Sequence, residues 1–303
     1  MAFANSSVTD IIATTIQSRT KQIADNVTKN NALLARLNER GNVKPFGGGN
    51  VIMQELSFAE NGNAGFYSGY DLLPVATADV ISASEFNIKQ LACPVVMSGL
   101  EMLQNAGQEQ FIDLLEARLN VAESTMANKL AESIYSDGTG ASGKEVTGLN
   151  AAVPSDPTTG TYGGIDRATY TFWRSSVWGS LVRGADRPDL VVLDNTYWTF
   201  YMGSLQAQQR FTDATTGNLG FPTLKFMDAD VVLDGGIGGF APTGTGFMLN
   251  TKYLFLRPHR DRNMVALSPK ARYATNQDAE VQILGWAGNL TCSGAQFQGR
   301  IQN

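Results

Sequence analysis

The chain has 303 residues, of which 43% are hydrophobic and 17% are charged, and its formal net charge is −5. This length and hydrophobic content describe a globular protein, built as one large domain or two interleaved ones, that buries roughly three quarters of its unfolded surface. The acidic balance argues against a protein that binds nucleic acid with its whole surface, since such proteins normally carry a basic excess.

The two cysteines, Cys93 and Cys292, lie far apart in the chain and match no metal-ligand spacing. This usage favours a reduced, cytosolic protein. No apolar run approaches the roughly eighteen residues of a membrane span, and the N-terminus lacks the basic-then-apolar form of a signal peptide. The sequence therefore predicts no membrane association.

The N-terminal arm, residues 1–45, is predicted to be helical in part. Between residues 8 and 40, the side chains of Leu33, Leu34 and Leu37 share one helical face. Gly41 and Pro45 end this pattern.

The segment of residues 46–80 is predicted to form an extended hairpin. A strand-like run begins at Val51, breaks at Asn61-Gly62, and resumes through the aromatic and leucine residues of 66–73. Asn-Gly is the dipeptide that best accepts the positive φ angles of a tight hairpin turn. The glycines of residues 46–80 leave this segment with too few side chains to form a core of its own. An isolated two-stranded ribbon is only marginally stable in water. We expect it to lie on another surface, such as a second copy of the chain, which favours an assembly protein over an enzyme.

One very long helix is predicted from Asn105 to Asp137. It follows a strand at residues 84–92, which Pro94 either ends or places at a sheet edge. At 1.5 Å per residue the helix would be about 50 Å long, roughly three times the average in globular proteins. Its apolar residues recur every three or four positions, at Phe111, Leu115, Leu119, Ala122, Met126, Leu130 and Ile134.

Beyond a loop at residues 138–164 the pattern is mixed. A buried strand is predicted over residues 188–193, and Asp194 is positioned to cap a helix that ends at Leu205. Strands and helices do not alternate regularly, so the predicted fold class is α+β. Further strand-like runs lie at residues 224–226, 231–233, 247–249, 253–256, 279–284 and 290–292.

A P-loop-like spacing occurs between Gly138 and Lys144. Glu145 follows where the motif needs Ser or Thr, and its carboxylate would lie near a phosphate. The segment also follows a helix, whereas a P-loop follows a strand. A capped helix end that leads into a flexible loop is the favoured interpretation.

Other candidate sites are weaker. Asp228, Asp230 and Asp234 raise a metal hypothesis, although acidic residues at strand ends are the commoner explanation. The single histidine, His259, belongs to no catalytic pattern. The glycine-rich run that begins at Gly235 is not a dinucleotide fingerprint and is predicted to be a mobile loop. The sequence predicts no catalytic residue, metal site or cofactor.

The order of these segments resembles the major capsid protein of tailed double-stranded-DNA bacteriophages, a fold shared with bacterial encapsulins. The resemblance covers nearly the whole chain and rests mainly on the order of its segments. Local sequence similar to that of the family also occurs at Gly148-Leu149, Gly163-Gly-Ile-Asp-Arg-Ala-Thr, Arg187-Pro-Asp-Leu-Val-Val-Leu and Phe247-Met-Leu-Asn-Thr-Lys-Tyr-Leu. It implies an N-terminal arm (1–45), a hairpin called the E-loop (46–80), a peripheral domain (81–186 and 278–303) with its spine helix (105–137), and an axial domain (187–277).

The function that the resemblance implies is structural, not enzymatic. Subunits would form pentamers and hexamers of an icosahedral capsid and enclose double-stranded DNA without sequence specificity. Each E-loop would overlap an adjacent subunit through its tip, at Glu60, Asn61, Gly62 and Asn63. A loop of the axial domain would contain Gly235, Gly236, Gly238 and Gly239.

The implied partners are those of a virion that is assembled in the host bacterial cytoplasm: a portal and, as a further candidate, a decoration protein. Because the arm and hairpin follow Met1 within fifty residues, we expect a separate scaffolding protein. No lysine lies between Lys44 and Lys89, so the Lys–Asn isopeptide bond of some family members is not expected. The alternatives are an encapsulin-type nanocompartment shell and, more remotely, a nucleotide-binding enzyme that uses Gly143 and Lys144.

Overall fold

The computed structural model describes residues 31–104, 108–176, 178–207, 223–235, 239–267, 272–273 and 279–302. Within these residues it contains a two-stranded ribbon, two five-stranded sheets, a small hairpin and one long helix, which confirms the α+β class. None of the described helices is long and apolar enough to cross a membrane.

The elements are numbered in chain order. The helices are α1 (Ala32–Glu39), α2 (Gly99–Gln104), α3 (Gln108–Ile134), α4 (Leu149–Ala152), α5 (Trp178–Leu181) and α6 (Asn195–Ala207). The strands of the first half are β1 (Val51–Ser57), β2 (Ile81–Asn87), β3 (Lys89–Ser98), β4 (Thr161–Tyr162) and β5 (Ile165–Asp166). The later strands are β6 (Leu190–Leu193), β7 (Thr223–Phe226), β8 (Ala229–Leu233), β9 (Thr245–Leu249), β10 (Leu254–Pro258), β11 (Val265–Ala266), β12 (Arg272–Tyr273), β13 (Ala279–Cys292) and β14 (Gly299–Gln302).

The first sheet is organised by the long strand β13. It pairs with β3 along one edge and with β10, β11 and β12 along the other. The prediction of two strands at residues 279–284 and 290–292 is wrong, because β13 runs through both without a break. The glycines between them allow neighbouring residues to pack closely against the strand. A Cβ on Gly285 would lie 2.3 Å from Cδ2 of Leu267, and one on Gly288 would lie 2.6 Å from the carbonyl oxygen of Arg257.

The long helix α3 covers one face of this sheet beside β3. Its 27 residues correspond to about 40 Å. It ends at Ile134 and not at Asp137, because the next two N–H groups bond three residues back, Tyr135 to Glu132 and Ser136 to Ser133, both at 3.1 Å. Asn105 lies outside the described residues, as do the side chains of Phe111 and Leu115. The other predicted apolar positions are buried, namely Leu119, Ala122, Met126, Leu130 and Ile134.

The arm helix α1 is capped by Asn31, whose Oδ1 accepts the N–H groups of Leu33 at 3.0 Å and Leu34 at 3.1 Å. The predicted apolar face is confirmed, since Leu33, Leu34 and Leu37 are all buried. The part of the predicted arm before residue 31 lies outside the described residues.

The second sheet has the strand order β14-β9-β6-β8-β7. All four residues of β6 are buried, and Asp194 then caps α6 by accepting the N–H of Tyr197 at 2.9 Å, as predicted. The last strand, β14, pairs with β9 in this sheet. The predicted domain division, which assigns residues 278–303 to the peripheral domain, stays a prediction.

The ribbon pairs β1 with β2, from Val51 opposite Asn87 to Ser57 opposite Ile81. The predicted hairpin turn at Asn61-Gly62 is therefore wrong, since residues 66–73 do not pair with β1. Burial explains the choice of partner: Ile52 and Phe86 face each other and are 2% and 3% exposed, so this register places one apolar face of the ribbon in the core.

Candidate inter-subunit contact surfaces

The loop of residues 58–80 joins β1 to β2 and contains no helix or strand. Phe66, Tyr70 and Leu72 are 110%, 104% and 98% exposed. Exposed apolar clusters of this kind on soluble proteins mark interaction sites. The exposed apolar side chains of the loop are Phe66, Tyr67, Tyr70, Leu72, Leu73 and Val75.

Among the described residues, the hydrogen bonds of residues 59–79 join positions within the loop itself. Asn61 Oδ1 accepts the N–H of Asn63 at 3.0 Å, and the side-chain amide of Asn63 donates to the carbonyl of Ala76. A second turn closes where Asp71 N–H donates to the carbonyl of Ser68 at 2.8 Å. Of the predicted tip residues, Asn61, Gly62 and Asn63 form the turn that opens the loop, and Glu60 precedes it. A contact between these residues and another subunit stays a prediction.

The base of the ribbon, unlike the loop, packs in the core of this chain. The ring of Phe86 meets that of Tyr162 at 5.2 Å, and the N–H of Glu85 donates to the carbonyl of Gly163 at 2.9 Å. Gly163 has φ +58°, and a Cβ there would lie 2.9 Å from Cβ of Ser84. The β4–β5 turn therefore fixes the direction in which the ribbon leaves the core.

The three aspartates of the metal hypothesis have separate partners. Asp228 pairs with Arg187 at 2.5 Å, and Asp230 pairs with Arg36 of α1. Among the described residues there is no group of three or more His, Cys, Asp or Glu side chains arranged to hold a metal ion.

Asp234 is buried and receives three hydrogen bonds. Its Oδ2 accepts the hydroxyl of Tyr135 and lies 3.5 Å from the amide nitrogen of Asn31, and its Oδ1 accepts the N–H of Phe240 at 3.3 Å. Burial raises the pKa of this carboxyl, an effect that the bonds from Tyr135 and Phe240 partly offset. No local motif marks this cluster, because its members come from distant parts of the chain.

The glycine-rich loop after β8 is only partly described, since Gly236 and Gly238 lie outside the described residues. A Cβ on Gly235 would lie 2.6 Å from the backbone nitrogen of Asn195, and one on Gly239 would lie 2.4 Å from the nitrogen of Gly235. Close backbone packing requires these two glycines at the ends of the loop, and the mobility of the loop between them stays a prediction.

The segment Gly138–Glu145 does not have the geometry of a P-loop. It follows α3, and Ala141 and Ser142 adopt φ +49° and +60°, so that it forms a left-handed turn. A Cβ on Gly140 would lie 2.2 Å from Oε2 of Glu145, so this carboxylate occupies the inside of the turn. An anionic phosphate would meet a negative charge there.

No family model and no curated protein matches this chain. Solved structures do match it. A chain of the cyanophage A-1(L) capsid asymmetric unit is 14% identical with a TM-score of 0.61, and the match covers 86% of this chain and 90% of that one. A chain of the native GTA particle capsid is 11% identical with a TM-score of 0.58 and coverages of 87% and 88%. A chain of the satellite phage P4 procapsid, which includes the size determination (Sid) protein, is 8% identical with a TM-score of 0.53 and coverages of 93% and 90%.

Proposed function

We propose that this chain, which has the tailed-phage major capsid fold, is the structural subunit of an icosahedral phage shell. It would assemble into pentamers and hexamers and enclose double-stranded DNA without sequence specificity. The observation that carries the proposal is the exposed apolar loop of residues 58–80 on a fold shared with phage capsid chains over 86% of the sequence.

The free energy available from burying the loop's apolar side chains supports an assembly role. Burying one large apolar side chain contributes about 1.5–3 kcal/mol, and six such side chains stand exposed on one loop. The loop has internal hydrogen bonds, but it has no core of its own that could bury these six side chains. A neighbouring subunit supplies the missing surface, and many such contacts repeated around a closed shell add up through multivalency.

The proposed partners follow from a shell of this kind. They are a separate scaffolding protein, a portal, a candidate decoration protein and the packaged DNA, with assembly in the host bacterial cytoplasm and a final place in the virion capsid. The procapsid of satellite phage P4, one of the structures with this fold, includes a size determination protein. That likeness supports a search for a scaffold encoded beside this chain.

Electron microscopy and light scattering test the proposal on the purified protein, with and without a co-expressed candidate scaffold. Closed shells, or rings of five and six subunits, are the expected result. A persistent 32.6 kDa monomer at high concentration in both preparations would overturn it.

A matched variant tests the loop within the same assay. Phe58 N–H donates to the carbonyl of Val80 at 3.1 Å, so replacing residues 59–79 by Asn-Gly would close a two-residue hairpin without disturbing β1 or β2. This variant is expected to stay folded and monomeric. If it still formed shells, the loop would have no assembly role.

A further inference from the structure

The turn at the start of the loop contains Asn61-Gly62, the one place in the sequence where glycine follows asparagine. Both residues are exposed, and apart from the chain neighbours no described atom lies within 4 Å of the position that a Cβ on Gly62 would take. Because glycine has no side chain, it leaves its own peptide nitrogen uncrowded. That nitrogen can attack the side-chain amide of the preceding asparagine, since the attack closes a five-membered ring.

The atoms that this attack needs are unrestrained at Asn61. Among the described residues, neither the N–H of Gly62 nor the side-chain nitrogen Nδ2 of Asn61 has a hydrogen-bond partner. The oxygen of the same amide is held, because Oδ1 accepts the N–H of Asn63 at 3.0 Å. A donor at this oxygen stabilises the negative charge that develops there during the attack. The turn therefore leaves the attacking and departing nitrogens free and binds the oxygen.

Asn63, two residues later in the same turn, has the opposite arrangement. Its attacking nitrogen would be that of Ala64, whose N–H donates to the carbonyl of Asn61 at 3.1 Å. The side-chain amide of Asn63 donates to the carbonyl of Ala76. Ala64 also carries a Cβ beside its nitrogen. One exposed loop thus contains an asparagine that is arranged to react and another that is not.

Packing or hydrogen bonding opposes the same ring closure at the two Asp-Gly dipeptides of the chain. Asp234 is buried, and a Cβ on Gly235 would lie 2.6 Å from a backbone nitrogen. At Asp137-Gly138, the glycine N–H donates to Oγ of Ser136 at 2.9 Å. Within the described part of the chain, the loop dipeptide is therefore the one whose attacking nitrogen is both exposed and unbonded.

We propose that Asn61 is a self-modification site, at which the folded chain loses ammonia and acquires aspartate or isoaspartate. The bond between the Gly62 nitrogen and Cγ of Asn61 forms, and the bond between Cγ and Nδ2 breaks. Nδ2 leaves as ammonia together with the proton that the Gly62 nitrogen gives up. Water then opens the five-membered imide at either of its two carbonyls. One opening gives aspartate, and the other gives isoaspartate, which has an additional methylene group in the main chain.

The product changes the charge and the geometry of the turn. One added carboxylate beside Glu60 takes the formal net charge of the chain from −5 to −6. The isoaspartate form also lengthens the main chain inside the turn that the N–H of Ala64 closes on the carbonyl of residue 61. An aged chain therefore differs from a newly made one at the start of the loop, whether or not the chain builds a shell.

Ageing the purified chain in heavy-oxygen water at mildly alkaline pH, where more of the Gly62 N–H is deprotonated, tests the proposal. The chymotryptic peptide of residues 59–66 contains both asparagines, so mass spectrometry shows which of them has gained the heavy oxygen. We expect Asn61 to be converted and Asn63 to stay unchanged. Ammonia should be released in an equal amount, and isoaspartate should form part of the product.

Gly62→Ala tests whether the peptide nitrogen is the attacking group. The added Cβ crowds this nitrogen, so the release of ammonia should slow by roughly tenfold, which corresponds to about 1.4 kcal/mol in the barrier. Gly65→Ala is the matched control, because Gly65 is an exposed glycine of the same loop with equally open surroundings. It should keep the rate of the unmodified chain.

Three results would overturn the proposal. The first is equal conversion of Asn61 and Asn63, and the second is an equal rate in Gly62→Ala and the unmodified chain. The third is conversion of Asn61 only after unfolding in urea, because the folded turn would then protect the amide. None of these measurements depends on shell formation, so failure of the chain to assemble would leave this inference standing.

Discussion

The hydroxyl of Tyr135 donates a hydrogen bond to Oδ2 of Asp234, and this bond joins the end of the long helix to the end of a strand in the second sheet. Asn31, which caps the arm helix, reaches the same oxygen at 3.5 Å. One buried carboxylate thus connects three elements. Its donors matter, because an unpaired charge in a protein interior costs several kcal/mol.

Tyr135→Phe removes the hydroxyl and keeps the ring in place. We expect the free energy of unfolding to fall by about 1–3 kcal/mol, because the Asp234 carboxylate would lose a donor while it stays buried. Urea denaturation measures the change. Tyr170→Phe removes a hydroxyl from a tyrosine that is 45% exposed and serves as the control; equal losses in both variants would contradict the prediction.

Asp234 also predicts a pH dependence of stability. Its pKa is raised by burial above the ordinary 3.8, so the folded chain holds this proton more tightly than the unfolded chain. The contribution is fully present below pH 3.8 and is lost as pH rises through the raised pKa. The stability difference between Asp234→Asn and the unmodified protein should therefore shift in favour of the variant as pH rises.

The measurement is urea unfolding of both proteins over a pH series, with Asp156→Asn as the control. Hydrogen bonds from Thr158 lower the pKa of Asp156, so its stabilising effect is lost as pH falls. For this control the difference should move in the opposite direction, against the variant as pH rises. A pH-independent difference for Asp234→Asn would show that its carboxyl does not titrate differently on folding.

Gly163→Ala tests the turn that directs the ribbon. At Gly163, φ is +58° and an added Cβ would lie 2.9 Å from Cβ of Ser84 and 3.0 Å from Cζ of Phe86. Its neighbour Gly164 has φ +76° with nothing within 4 Å, so it separates backbone strain from steric overlap. We expect Gly164→Ala to cost about 1 kcal/mol and Gly163→Ala to cost about 1–3 kcal/mol more. Thermal or urea unfolding measures both, and equal costs would refute the close approach.

Replacing the loop's exposed apolar side chains tests assembly apart from folding. The combined variant Phe66→Ser, Tyr70→Ser, Leu72→Ser and Val75→Ser should change the stability of the free subunit by less than about 0.5 kcal/mol per site, because these side chains touch solvent. Shell formation should be lost in light scattering. Val182→Ser, at a valine that is 40% exposed outside the loop, is expected to assemble normally. A large loss of subunit stability would place the loop in the subunit's own core.

Local patterns were sufficient for several elements. Leu119, Met126 and Leu130 recur at helical spacing, and the structure buries them in α3. Asp194 and the apolar run before it predict a buried strand followed by a capped helix, as observed. In these cases the spacing of apolar residues and one capping side chain determine the element, because the interactions lie within a few residues.

Local sequence patterns do not predict which strand pairs with β1. Asn61-Gly62 has the turn chemistry, yet β1 pairs with β2 across a loop of residues 58–80, because Ile52 and Phe86 together enter the core formed with Tyr162. Contacts between residues far apart in sequence decide such pairing, and a turn dipeptide has no influence on them. The predicted break within β13 is wrong for the same reason, since the packing partners of Gly285 and Gly288 are Leu267 and Arg257, which lie elsewhere in the chain.

By itself, then, the sequence determined the α+β class, the long helix, the arm helix and the absence of lysine between Lys44 and Lys89, all of which depend on composition or on spacing along the chain. The tertiary structure alone decided that Tyr135 and Asn31 meet at Asp234 and that β1 pairs with β2. Each of these depends on how sheets and helices pack, because side chains separated by tens to hundreds of residues become neighbours only after the core has formed.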